Sequence, residues 1–169
     1  MQDRTGKVYP GSDGDYVLVH STKKAEATPE SRLEFYGKNK QLLCALDYSS
    51  QDGEHGHGAG KTAWTPDGNY FVAALVTSGG HQAWHAPTII YSRNKKWLVN
   101  LDDFIDGLGI ASSGFELIAP HQVSTHMLKD REIPITFNLD DLFKQATLPK
   151  STKGIACTEG KVLKAALLH

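Results

Sequence analysis

The residues best suited to chemistry in this chain are histidines in two loose pairs. His55 and His57 form an H-x-H and His81 and His85 an H-x3-H, with Asp52, Glu54 and Asp67 near in sequence. Imidazole suits zinc or copper, and two such pairs on adjacent loops could close a tetrahedral set. H-x3-H chelates best on a helix, where i and i+4 share a face, and the glycines and proline of GGHQAWHAP exclude a regular helix there. The competing reading is that these rings hydrogen-bond loop carbonyls and hold turns. GHGAGKT (56–62) has G-x3-G-K-T spacing, one residue short of a phosphate loop. AWTPDG follows it instead of a helix, so its amides would not be arrayed around a phosphate. No GxSxG, HExxH or paired Cys–His nucleophile pattern is present. The chain reads as a non-enzymatic protein without a cofactor. The alternative is a metal-binding protein or metal-dependent hydrolase using His55, His57, His81 and His85.

A different chemistry, that of protein contact, is concentrated in the segment 78–87. Ser78, Gly79, Gly80, His81, Gln82, Trp84 and His85 join two strands through a connection long for a hairpin. Gly79-Gly80 permits a protruding tip, and Trp84 and His85 are amphipathic anchors of the kind that dominate binding interfaces. Trp84 could equally fold back onto a sheet as core. A second tip, Ile110–Gly114, carries Ser112 and Ser113. Small hydroxyl side chains there could enter a narrow cleft and hydrogen-bond a catalytic Cys or His of a partner, or form a plain surface turn.

The elements that must hold these loops are short strands. Asp15–His20, Arg32–Tyr36, Gln41–Asp47, Thr62–Trp64, Thr88–Tyr91 and Lys96–Leu101 are rich in β-formers and separated by polar turns such as GKNK, TPDGN and SRNK. Tyr70–Thr77 is almost continuously apolar, as expected of a central strand covered on both faces. Ile133–Leu139 alternates, placing Ile133, Ile135, Phe137 and Leu139 on one face, and Pro134 marks it as an edge strand. Helix is confined to a turn or two at Asp102–Leu108 and Asp140–Gln145, where Asp suits a helix start.

Composition sets the frame for these elements. The chain has 169 residues, 40% hydrophobic and 22% charged, which fits one globular domain. A folded chain of this size buries ~70% of its extended surface, enough for a core. A net charge of −1 leaves no bulk field toward nucleic acid or anionic lipid, and no apolar run reaches the length of a membrane span. Residues 1–15 are too polar for a signal peptide, and Met1-Gln2-Asp3 would suit either a start codon placed on a processed, exported chain or an ordinary cytosolic start. Cys44 and Cys157 have no CxxC spacing. In an oxidising compartment they could form a disulfide that pins the C-terminal tail, worth ~4–5 kcal/mol in the entropic model.

Two internal echoes organise the strands. FYGKNKQLLCALD (35–47) matches IYSRNKKWLVNLD (90–102) at a constant offset of 55, through strand, turn and strand. NLDDL (138–142) echoes NLDDF (100–104) more weakly. Hairpins look alike, but the longer match runs through the turn and indicates a structural repeat.

The stretch from Ala63 to Asp103 resembles one blade of a TolB-like β-propeller. Trp64-Thr65-Pro66-Asp67-Gly68 fills the turn, Phe71–Val76 and Ile89–Tyr91 the strands, and Val99–Asp102 the closing Leu-Asp. Pro sets φ and Asp-Gly supplies the bend that returns the chain antiparallel. One WTPDG and ~40–50 residues per blade leave too little chain for a closed propeller. The expected fold is therefore all-β: small antiparallel sheets in a partial β-propeller-like arrangement with one or two short helical turns. Its units are 31–48, 62–104, 115–143 and a tail 150–169 within a single domain. The segments DYSSQDGEHG (47–56) and TSGGHQAWHAP (77–87) resemble those of small periplasmic immunity proteins that block the cell-wall amidases of type VI secretion. That resemblance implies an exported, periplasmic inhibitor whose loops occlude a secreted peptidoglycan amidase. An envelope assembly scaffold is a further reading of the propeller likeness.

Overall fold

The computed structural model describes residues 4–22, 29–77, 86–105, 114–127 and 132–164. The chain is all-β, and among the described residues it is built of small sheets that are antiparallel apart from one parallel edge pair, with a single α-helix. Its strands are β1 (Arg4–Pro10), β2 (Tyr16–Thr22), β3 (Ser31–Tyr36), β4 (Leu42–Asp47), β5 (His57–Trp64), β6 (Tyr70–Thr77), β7 (Thr88–Ser92) and β8 (Trp97–Asn100). A 3-10 turn, Leu101–Phe104, leads to β9 (Glu116–Ile118), β10 (Gln122–His126), β11 (Pro134–Asn138) and helix α1 (Leu139–Ala146). Two short strands end the described chain, β12 (Ile155–Ala156) and β13 (Lys161–Lys164). No described helix is long and apolar enough to cross a membrane.

Three sheets stack in layers. The first has the order β1-β2-β3-β4-β13, the middle one β12-β8-β7-β6-β5 and the third β11-β10-β9. The middle sheet is covered on both faces, which is why β6 needs a continuous apolar run. Phe71, Ala73 and Leu75 join Val17, Leu33, Phe35 and Leu46 of the first sheet in one core. Tyr70, Val72 and Ala74 point the other way, into a second core with Val123 of β10 and Leu142 and Phe143 of α1.

The 55-residue repeat has a direct structural meaning. Phe35, Cys44 and Leu46 enter the first core, while their equivalents Ile90, Val99 and Leu101 enter the second. Each copy therefore presents the same positions to the layer that follows it. The 38-residue echo is a shared capping device. The Asn100 side chain accepts from the Asp102 amide at 3.1 Å and the Asn138 side chain from the Asp141 amide at 3.1 Å, each opening a helical segment after a strand. Leu101 and Leu139, one residue on, are fully buried. The expected helix at 102–108 is a single 3-10 turn in its described part. Pro134 does start an edge strand, but Ile133 precedes it and is 59% exposed instead of sharing the apolar face.

Composition and turn signals did not reveal β1, β9, β10, β12 or β13. The last two matter most. β12 runs antiparallel to β8 and β13 runs parallel to β4, so the tail crosses from the edge of the middle sheet to that of the first. A Cys44–Cys157 disulfide sits at that crossing, with the Cys157 amide donating to the Lys96 carbonyl at 2.8 Å.

Candidate functional site

The strands run up and down, and this sorts the connections by length. Turns 11–15, 37–41, 65–69, 93–96 and 119–121 lie at one end, and the described ends of the longer connections 23–30, 48–56, 78–87, 101–115 and 127–133 lie at the other. The turn end is locked by side chains. Trp64 Nε1 donates to the Tyr9 carbonyl at 2.9 Å, and Ser12 Oγ to the Asp67 carbonyl at 2.8 Å. Within the WTPDG turn, Asp67 Oδ1 accepts from Thr65 Oγ1 at 2.8 Å and from the Asn69 amide at 3.1 Å. Gly68 has φ +73°, a conformation that favours glycine, and a Cβ there would overlap Ser12.

At the loop end the bases of the connections are pinned by hydrogen bonds. The Thr22 amide donates to the Glu30 carbonyl at 2.9 Å and the Glu30 amide to Thr22 Oγ1 at 2.9 Å, closing the base of 23–28. The Leu75 amide donates to the Pro87 carbonyl at 3.0 Å below 78–85, and Thr125 Oγ1 to the Gly114 carbonyl at 2.6 Å beside 106–113. Glu30, only 2% exposed, is the anchor of connection 48–56. Its carboxylate accepts from the Ser50 amide at 2.7 Å, Ser50 Oγ at 2.6 Å and the Gly56 amide at 2.8 Å. Buried charge is tolerated here because three donors replace water. Gly56 leaves no room for a side chain, since a Cβ would overlap the Tyr48 carbonyl.

The sequence-derived contact residues Ser78, Gly79, Gly80, His81, Gln82, Trp84, His85, Ser112 and Ser113 lie outside the described residues. Their described flanks, Thr77 and Ala86 in one case and Ile105 and Gly114 in the other, belong to the loop end. Of the metal candidates, His81 and His85 are likewise outside. His55 Nδ1 is at 2.5 Å from Asp52 Oδ2, and His57 opens β5 with its ring edge-on to Tyr48. The Glu54 amide and His55 hold the Asp52 carboxyl down to about 2. Among the described residues, no three His, Cys, Asp or Glu side chains converge as a metal site would require. GHGAGKT belongs to connection 48–56 and β5, with an irregularity between Ala59 and Thr62, and no helix follows it.

One titratable cluster has no counterpart in the sequence reading. His121 Nδ1 is 2.9 Å from Asp140 Oδ2, its Nε2 bonds Asp67 Oδ2, and the Tyr70 hydroxyl donates to Asp140 Oδ1. Hydrogen bonds to Asp140 and Asp67 raise the His121 pKa above its ordinary value. Tyr70 and His121 lower that of Asp140; burial would raise that of Asp67, but His121 and Thr65 outweigh it. A catalytic dyad needs one free ring nitrogen to act as base. Here both face carboxylates, so the ring is a tie joining the WTPDG turn, turn 119–121 and the start of α1. The DG turn and the NLDD cap were legible separately, but residues 54 and 19 positions from His121 cannot be paired without the fold.

Comparison with known proteins gives no match among family models, curated proteins or solved structures.

Proposed function

We propose that this chain is an exported, non-enzymatic binding protein that grips a partner protein with its loop end, the partner being a peptidoglycan-cleaving amidase whose active site the loops occlude. The observation that carries this reading is that the longer strand-to-strand connections between β2 and β11 have their described ends at one end of a stack clasped by a disulfide. Binding loops on a rigid β-scaffold are placed this way in immunoglobulin domains, because a stiff frame lowers the ordering cost of contact. The Cys44–Cys157 disulfide fits an oxidising compartment, which is where a periplasmic inhibitor would work. The likeness of 47–56 and 77–87 to immunity proteins supplies the amidase, and the WTPDG stretch supplies the propeller-like reading of the stacked layers.

The test is inhibition of purified secreted amidases by this protein, measured as peptidoglycan cleavage, together with protection of toxin-exposed cells. A stoichiometric complex that blocks cleavage is expected. Trp84→Ala with His85→Ala should weaken it at least tenfold, as truncated interface anchors do. Absence of any inhibited amidase, with no protection of cells, overturns the assignment.

A further inference from the structure

The opposite end of the stack carries an open cleft of about 540 Å³. Its walls come from three turns: Asp13 and Asp15 after β1, Lys38 and Gln41 after β3, Arg93 and Lys96 after β7. The last four are two equivalent pairs in the 55-residue repeat, Lys38 with Arg93 and Gln41 with Lys96. The cleft is the seam where the turn of one copy faces the turn of the next.

Its charges are incompletely matched. The Asp15 side chain is 9% exposed, yet its ion pair with Arg93 Nη1 spans 3.6 Å, too long for a hydrogen bond. Arg93 is shared, with Nη1 at 3.2 Å from Asp13 and Nη2 at 3.5 Å from Asn69. Arg93 Nε and the Tyr91 hydroxyl are buried without a hydrogen-bond partner among the described residues. Lys96 is half-buried and Lys38 exposed, and neither ammonium pairs with a carboxylate among the described residues.

The Asp15 carboxylate, held by one long ion pair, and the Lys96 ammonium, with no carboxylate partner among the described residues, leave charge of both signs in the cleft incompletely matched. A simple anion would satisfy the lysines but set a further negative charge against Asp13 and Asp15. A simple cation would reverse the fault. We propose that this cleft binds a small zwitterion, an α-amino acid or short peptide with free ends, its ammonium on Asp15 and its carboxylate on Lys96 and Lys38. The volume lies within the range of small-molecule sites. The site is remote from the loop end, so it operates whether or not that end binds an amidase.

The experiment is a titration of ¹⁵N-labelled protein, followed by amide shifts, with L-alanine and with tri-L-alanine. N-acetyl-alanine, alanine amide and inorganic phosphate are run in parallel. Saturable shifts at Gly14, Asp15, Gly37, Lys38 and Lys96 are expected, with a Kd of about 1 mM or tighter for at least one free-ended ligand. Blocking either end should weaken binding about tenfold or more, the effect of losing one charge-assisted bond. Asp15→Asn should erase the preference for a free ammonium, and Lys96→Met the preference for a free carboxylate. Lys96→Met and the blocked ligands suffice should Asp15→Asn fold poorly. A stronger response to alanine or to tri-alanine distinguishes a free amino acid from a peptide, and either supports the site. Equal shifts with phosphate or N-acetyl-alanine, or no saturable shift up to about 20 mM, overturn it.

Discussion

Replacing both Cys44 and Cys157 by alanine removes the one covalent link between the tail and the first sheet. The bond joins residues 113 positions apart. In the chain-entropy model, a loop of that length loses about 16 cal/mol/K from the unfolded ensemble, or about 4.8 kcal/mol at 25 °C. Both cysteines are fully buried, so truncation to alanine adds about 1 kcal/mol for lost packing. The native tail should remain in place, because β12 and β13 still pair with β8 and β4 and Leu163 still enters the core. The loss therefore belongs to global unfolding. Equilibrium denaturation in urea should show about 5–6 kcal/mol less stability, a large share of the about 5–15 kcal/mol typical of a domain. The m-value should rise, since the uncrosslinked chain exposes more surface when unfolded. A loss below about 1.5 kcal/mol with an unchanged m-value refutes the reasoning, because unfolded-state entropy would then not be the source of the stabilisation.

Three further outcomes follow from the same geometry. The stability difference between the wild type and His121→Asn should be bell-shaped in pH. The contribution of His121, whose pKa is raised, is complete below about 6.5 and fades as pH rises through the folded value; those of Asp67 and Asp140, whose pKa values are lowered, are complete above about 3.9 and fade as pH falls through theirs. A difference that stays flat from acid to alkaline pH in thermal melts removes the tie. Glu30→Ala should cost about 2–4 kcal/mol and speed hydrogen exchange at the Ser50 and Gly56 amides, since these half-buried donors lose their buried acceptor. Unchanged exchange at both amides contradicts that anchor. Asn138→Ala should cost about 1 kcal/mol by uncapping α1, with helical signal lost first at its N-terminus, and an unaltered melting curve argues against the cap.

Much of the layer architecture was legible because it rests on local patterns. The continuous apolar run 70–77 demanded cover on both faces, and the middle layer provides it. The matched hairpins at offset 55 became successive layers with equivalent side chains facing the same way. TPDG and NLDD are short-range devices, and each forms the turn or cap its residues require. Cys44 in an apolar strand allowed a disulfide with Cys157 but could not place it. The strands of the tail escaped notice because IA and KVLK are too short to show a period, and they form only where a sheet edge is already waiting.

What the amino-acid order determined alone is which segments alternate, turn and cap, since those properties depend on neighbours within a few residues. Tertiary structure decided what meets across the chain. It set His121 between Asp67 and Asp140, gathered Asp15, Arg93 and Lys96 around one cleft, and brought the described ends of the longer strand-to-strand connections to the same end. Those placements depend on how the sheets stack and on which edge the tail takes, and burial free energy summed over three layers settles both. No local pattern contains that sum.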